Sequence, residues 1–163
     1  MDRNKILELF EQIREDSTEP YKEDNFLQFL IKSNNKDINN SFKGRRYKIR
    51  FLEKVQMEFG VCFPKNFYEQ TWSLSDFTAY IETRKKDQPT NLRMAQKCLD
   101  QSKKADVALL ISTNVLLLPL AFLSYYLLIF SFLANVFLLW FQFKDVQYHK
   151  SLVYKISHSD QKA

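Results

Sequence analysis

The chain has 163 residues, with 24 Lys and Arg against 19 Asp and Glu and a net charge of +5. Two glycines and four prolines among many Leu, Phe, Lys and Glu exclude a turn-rich sandwich or barrel and point to helices. Cys62 and Cys98 form no CxxC pair, and His149 and His158 are isolated. No metal site and no disulfide framework can therefore be built, and both cysteines read as reduced thiols, Cys62 in the core.

In chain order, Asp2 can cap a first helix over about residues 3–15, with Ile6, Leu9, Phe10 and Ile13 on one apolar stripe. The charged start, Met1 to Lys5, is not that of a signal or transit peptide, which predicts a cytoplasmic soluble part. After a break at Asp16–Pro20, residues 24–32 predict a short second helix carrying Phe26, Leu27, Phe29, Leu30 and Ile31. The polar, Asn-rich run Ser33–Ser41 reads as a loop. A third helix over about 45–59 places Ile49, Leu52, Val55 and Phe59 together, and Gly60 and Pro64 stop it. Ser73 with Asp76 is an N-terminal capping signal for a helix over 74–86, with Leu74, Phe77, Tyr80 and Ile81 inward. Thr90 opens a further helix over 91–104 that carries Leu92, Ala95 and Leu99 on one face.

The run from Arg45 to Ile81 resembles the second half of an acyl carrier protein. Glu58-Phe59-Gly60-Val61-Cys62-Phe63-Pro64 matches that family's helix end and apolar-Pro loop. Trp72-Ser73-Leu74-Ser75-Asp76-Phe77-Thr78-Ala79-Tyr80-Ile81 matches its last helix, with no gap between the two. The helix from Ile6 to Ile13 fits the family's opening helix less specifically. The resemblance implies a small all-α bundle over about residues 1–86. It does not imply a loaded carrier. The family attaches phosphopantetheine to the Ser of an Asp-Ser-Leu motif, and here Gly44 and Arg45 stand where the Asp and the Ser belong. The nearest hydroxyl, Ser41, is four residues early and outside any such motif. No cofactor is expected.

Charge is reversed relative to the acidic helix of that family. Lys43, Arg45, Arg46, Lys48 and Arg50 fall within eight residues, with no acid between Asp37 and Glu53. Such a run reads as a solvated helix face, as a contact for anionic lipid headgroups, or as a docking face for an acidic protein. Nucleic acid is not an expected partner, because the soluble part is nearly balanced in charge and no base-stacking motif accompanies the run.

From Val107 to Phe143, thirty-seven residues pass without an Asp, Glu, Lys, Arg or His. A helix of that length runs about 55 Å against a hydrocarbon core of about 30 Å, too long for one span and enough for two short ones. Ser124, Tyr125 and Tyr126 lie at its midpoint and suit an interfacial turn. Arg93, Lys97, Lys103 and Lys104 precede the block and Lys144, Lys150, Lys155 and Lys162 follow it, so positive charge flanks both ends, as in a hairpin with both ends cytoplasmic. A one-leaflet wedge and a single tilted span are the alternatives. In a hairpin Asn114 and Asn135 come to similar depth, where their amides should pair with each other or with a partner helix. Pro119 removes one backbone donor within the block.

The reading has four parts. Residues 1–88 form a cytoplasmic acyl-carrier-like helical domain, and residues 89–106 a juxtamembrane linker helix. Residues 107–143 form a two-span hairpin, and residues 144–163 a basic cytoplasmic tail. No Ser–His–acid set, Cys–His pair or Gly-rich phosphate loop can be assembled, so the expected role is noncatalytic. It is that of an adaptor or accessory subunit, integral to a membrane (the bacterial inner membrane by default) and contributing to a membrane complex or homo-oligomer. The rivals are a bilayer-perturbing oligomeric effector and a true carrier modified at Ser41.

Overall fold

A computed structural model describes residues 2–16, 20–31, 42–64, 67–121 and 125–158. Every regular element among them is helical. The α-helices are α1 (Asp2–Ile13), α2 (Phe42–Phe59), α3 (Leu74–Lys86), α4 (Gln88–Ala121) and α5 (Tyr125–His158). Two 3-10 helices, Glu23–Leu30 and Phe67–Glu69, stand between them. The chain divides into two units, one of Met1–Met94 with Lys155–Ala163 and one of Ala95–Tyr154.

In the first unit the apolar stripes of α1, α2 and α3 close on an aromatic core. Ile6 and Phe10 of α1, Phe51 and Val55 of α2, and Phe77 and Ile81 of α3 are fully buried. Phe26 joins them, its ring centroid 5.5 Å from that of Phe10 and 5.4 Å from that of Phe77. Burying one such side chain stabilises a fold by about 1.5–3 kcal/mol, so these rings hold the helices together. The second element, read in the sequence as one short helix, is wound as 3-10 helix with a kink inside it. Asn25 leaves helical geometry (φ −148°, ψ 39°), and the tighter winding stacks Leu27 over Leu30, both buried.

Helix α2 ends as its sequence requires. Gly60 takes φ 62°, and its N–H and that of Val61 both donate to Gln56 O, at 2.9 and 3.3 Å. Helix α3 is capped by Ser73, whose Oγ accepts the Asp76 N–H at 3.0 Å. Helix α4 starts earlier than Thr90. Asp87 Oδ1 accepts the Thr90 N–H at 3.4 Å, and Pro89 occupies the first turn, where no donor is needed.

Residues 88–106 and the first half of the apolar block belong to one helix, α4, which continues across Pro119. Helix α5 likewise carries the second half of the block on into the basic tail. Residues Ile129–His158 form a stretch long and apolar enough to cross a membrane. Large apolar side chains along it are exposed, among them Phe130, Phe132, Leu133, Phe137 and Phe141.

Candidate functional site: a basic face on α2

The side chains of α2 sort by helical angle. Gly44, Lys48, Phe51, Leu52 and Val55 are buried, which leaves the opposite face to Arg46, Arg50 and Glu53, all exposed. Phe42 and Ile49 flank that face and are 86% and 37% exposed. Two apolar side chains therefore stand in water among guanidinium groups. Arg45 is also exposed, at the edge of this face.

The five basic residues singled out in the sequence do not act as one patch. Lys43 reaches across to the exit of α1 and pairs with Glu15 at 2.5 Å, a contact that raises its pKa above the usual lysine value. Lys48 lies on the inner face, only 6% exposed, and desolvation lowers its pKa. A lysine one turn from Arg45 and two residues from both Arg46 and Arg50 reads as part of a run in sequence, but the 100° step of the helix carries it into the core side. Arg46, Arg50 and Arg45, with Phe42 and Ile49, are what the surface offers. Gly44 is buried, and Ser41 lies outside the described residues.

Three further polar arrangements in the first unit escape sequence reasoning. Asn91 is fully buried and holds the turn after α2 at two points: its Oδ1 accepts the Cys62 N–H and its Nδ2 donates to Gly60 O, both at 2.8 Å. The only prior signal was an Asn on the inner side of a helix that starts at residue 88. Lys155 Nζ donates to Met57 O and Glu58 O, the second at 3.1 Å, and so supplies a cation to the carbonyl end of α2. Arg14, at the end of α1, is buried as well. Its Nε donates to Phe29 O at 3.2 Å, and its guanidinium lies over the rings of Phe10 and Tyr21.

Within the second unit, Asn114 Nδ2 donates to Asn135 Oδ1 at 3.0 Å, and Asn135 Nδ2 donates to Ser131 O at 2.9 Å. Farther from the midpoint of the apolar block, Ser102 Oγ donates to Asp145, and His149 Nε2 lies 3.8 Å from the same carboxylate. A Ser, an Asp and a His thus meet, which sequence spacing did not reveal. The carboxylate stands between the other two, however. A nucleophilic serine needs the imidazole as its own neighbour, with the acid behind it, and this order provides no base for the hydroxyl. Trp140 and Lys144 sit at the polar end of the apolar block, with Nζ 3.9 Å from the ring centroid. Of the expected turn residues, Ser124 lies outside the described residues, Tyr125 begins α5, and Tyr126 is 82% exposed. Among the described residues no three His, Cys, Asp or Glu come together as a metal site, and no disulfide joins Cys62, which is buried, to Cys98. No known protein family, curated protein or solved structure matches the chain.

Proposed function

We propose that the chain is a noncatalytic, membrane-anchored adaptor or accessory subunit that presents an acyl-carrier-like helical domain at a membrane face. The observation that carries this reading is the combination, in one chain, of a membrane-length apolar helix with an exposed basic face on a separate helical unit. The carrier-like part is the degenerate domain from α1 to α3. Its lack of a hydroxyl at Arg45, together with the buried Gly44, favours a module that docks without carrying an acyl group.

The anchor in this reading is a two-span hairpin made from the apolar parts of α4 and α5. Two contacts support it. Ser102 lies twelve residues before Asn114 and Asp145 ten after Asn135, and the two pairs of side chains meet, as antiparallel helices in register require. Satisfied amides are also what hydrocarbon demands of two asparagines. Trp140 with Lys144 fits an interfacial anchor, and the basic flanks at both ends favour cytoplasmic termini, with the bacterial inner membrane as the proposed location.

The test is recovery of partners from detergent extracts of cells expressing the full chain, compared with the variant Arg45→Glu/Arg46→Glu/Arg50→Glu. A stoichiometric partner retained by the native chain and lost by the variant supports the adaptor reading. Partner recovery indifferent to all three reversals removes this face as the protein-docking surface. Intact mass on the same sample decides the carrier alternative, since a phosphopantetheine adduct on Ser41 would overturn the degenerate-domain reading. Leakage of dye from vesicles holding the native chain would favour a membrane-perturbing effector instead.

A further inference from the structure

We infer that the outward face of α2 is a lipid-docking face, with Arg46 and Arg50 set against anionic headgroups and Phe42 and Ile49 entering the headgroup layer. The inference deepens the proposed function and rests on it, since it requires the chain to reside in a bilayer.

Three observations select lipid as the occupant. The first is charge. Along the outward face Arg46 and Arg50 stand one turn apart with Arg45 at the edge, and Glu53 is the acid that shares the face. Headgroups of negative charge are the complement of this pattern. The second is the placement of apolar groups. Phe42 is 86% exposed at the first turn of α2, and Ile49 follows seven residues later on the same side. A solvated face has no use for a phenyl ring held in water. A shallow interfacial site does, because basic side chains reach phosphates while neighbouring apolar ones enter the acyl boundary. The third is the tether. The same chain carries a helix of membrane length, so the bilayer is present at high effective concentration, and a weak surface contact suffices to be populated.

Each basic side chain near an anionic surface multiplies the docked population about fivefold, so neutralising two of them lowers the docked-to-undocked ratio about 25-fold. Arg46 and Arg50 are the residues to change. Both are exposed, so Arg46→Gln/Arg50→Gln leaves the core intact, whereas Lys43 is bound to Glu15.

The experiment uses the full chain reconstituted in vesicles, with Ile49→Cys carrying a bimane label in a Cys98→Ser background. Cys62 is buried at 1% exposure and stays unlabelled. Spin-labelled lipid with its nitroxide near the headgroup region quenches a bimane that touches the bilayer. Quenching in vesicles containing phosphatidylglycerol is expected to be strong, to fall in pure phosphatidylcholine, and to fall again in 0.5 M salt and in Arg46→Gln/Arg50→Gln. Equal quenching in both lipids, and in the parent and Arg46→Gln/Arg50→Gln alike, would overturn the electrostatic part of the inference. No quenching in any vesicle would overturn the inference whole. If partners are then still lost on charge reversal, the face belongs to an acidic protein and the adaptor reading stands. Extraction of the chain from vesicles by alkaline carbonate would instead overturn the membrane-anchored reading itself, which keeps the two failures apart. A thermal unfolding curve of each variant equal to that of the parent certifies that the fold is unchanged.

Discussion

Asn91 offers the sharpest test of how the first unit is held together. The turn that follows α2 runs through Gly60, Val61 and Cys62, all buried, and its backbone groups cannot reach water. Asn91 pairs with two of them, the Cys62 N–H and the Gly60 carbonyl. Asn91→Ala removes two hydrogen bonds and leaves a buried donor and a buried acceptor facing a methyl group. One net hydrogen bond contributes about 1 kcal/mol, and each orphaned buried group costs about 1–3 kcal/mol, so a loss of roughly 2–4 kcal/mol is expected. In a unit of roughly a hundred residues, where 1 kcal/mol moves the melting point by about 4–8 °C, Tm should fall by about 10–20 °C. The assay is thermal unfolding in detergent followed by Trp72 fluorescence, in a Trp140→Phe background so that the signal belongs to the first unit. Asn91→Leu separates polarity from packing. It keeps the volume and loses both hydrogen bonds, so it should melt about as early as Asn91→Ala. If Asn91→Leu melted within 2 °C of the parent, the two hydrogen bonds would contribute nothing and the reasoning would fail.

Other perturbations test separate contacts. Lys155→Met withdraws the cation from the carbonyl end of α2 and should cost the first unit about 1 kcal/mol, read as an earlier Trp72 transition; an unchanged transition would dissociate the tail from the cap. Lys48→Met should change how the stability of the same unit depends on pH. Desolvation lowers the folded-state pKa of Lys48 below 10.5, so the unfolded chain binds more protons between the two values and stability rises with pH across that window. The stability of the parent relative to Lys48→Met should therefore rise between pH 7 and pH 10.5, and a constant difference across that range would contradict the sign. In the second unit, Asn114→Cys with Asn135→Cys should oxidise to an intramolecular disulfide in vesicles, while crosslinks between chains alone would place the pair in an oligomer instead. Asn135→Leu removes the hydrogen bond that Asn114 Nδ2 donates to Asn135 Oδ1 and should loosen the two helices by about 0.6–2 kcal/mol, seen as faster proteolysis between them.

Much of the fold could be read from the sequence because local signals and tertiary demand agree. Ile6, Leu9 and Phe10 repeat at helical spacing and all lie in the core, and Ser73 with Asp76 forms the cap that its spacing announces. The departures occur where local reading is degenerate. The Glu23–Leu30 segment has the composition of a helix, and nothing local in it announces the kink at Asn25. Thr90 and Asp87 are both good capping residues, and the choice fell to Asp87 because Pro89 needs a position without a donor. The candidate site was legible as a run of charges but not as a surface. Lys43, Arg45, Arg46, Lys48 and Arg50 look equivalent in a linear string. Their angles on the helix separate an ion pair, a buried lysine and an exposed face. Asn91 and Lys155 were invisible, since their partners lie 31 and 97 residues away and a lone Asn or Lys carries no pattern.

The buried lysine sharpens what the face on α2 is for. A helix whose outward side were merely solvated would gain by placing every cation outward, yet Lys48 is held on the inner side at a desolvation cost. Phe42, by contrast, is kept in water at the helix start, where burial would stabilise it. The placement of Phe42 runs against the stability of the first unit taken by itself. The exposed phenyl ring has a physical reason if the outward face of α2 spends its time against another surface. That surface must supply negative charge to Arg46 and Arg50 and an apolar layer to Phe42 and Ile49. An anionic bilayer supplies both at once, and the proposed anchoring through the apolar helix would hold it beside the chain without a separate encounter. On this argument Phe42→Ser should leave the melting point of the first unit unchanged while reducing the lipid quenching of a label at position 49. A loss of stability without a loss of quenching would return Phe42 to the fold.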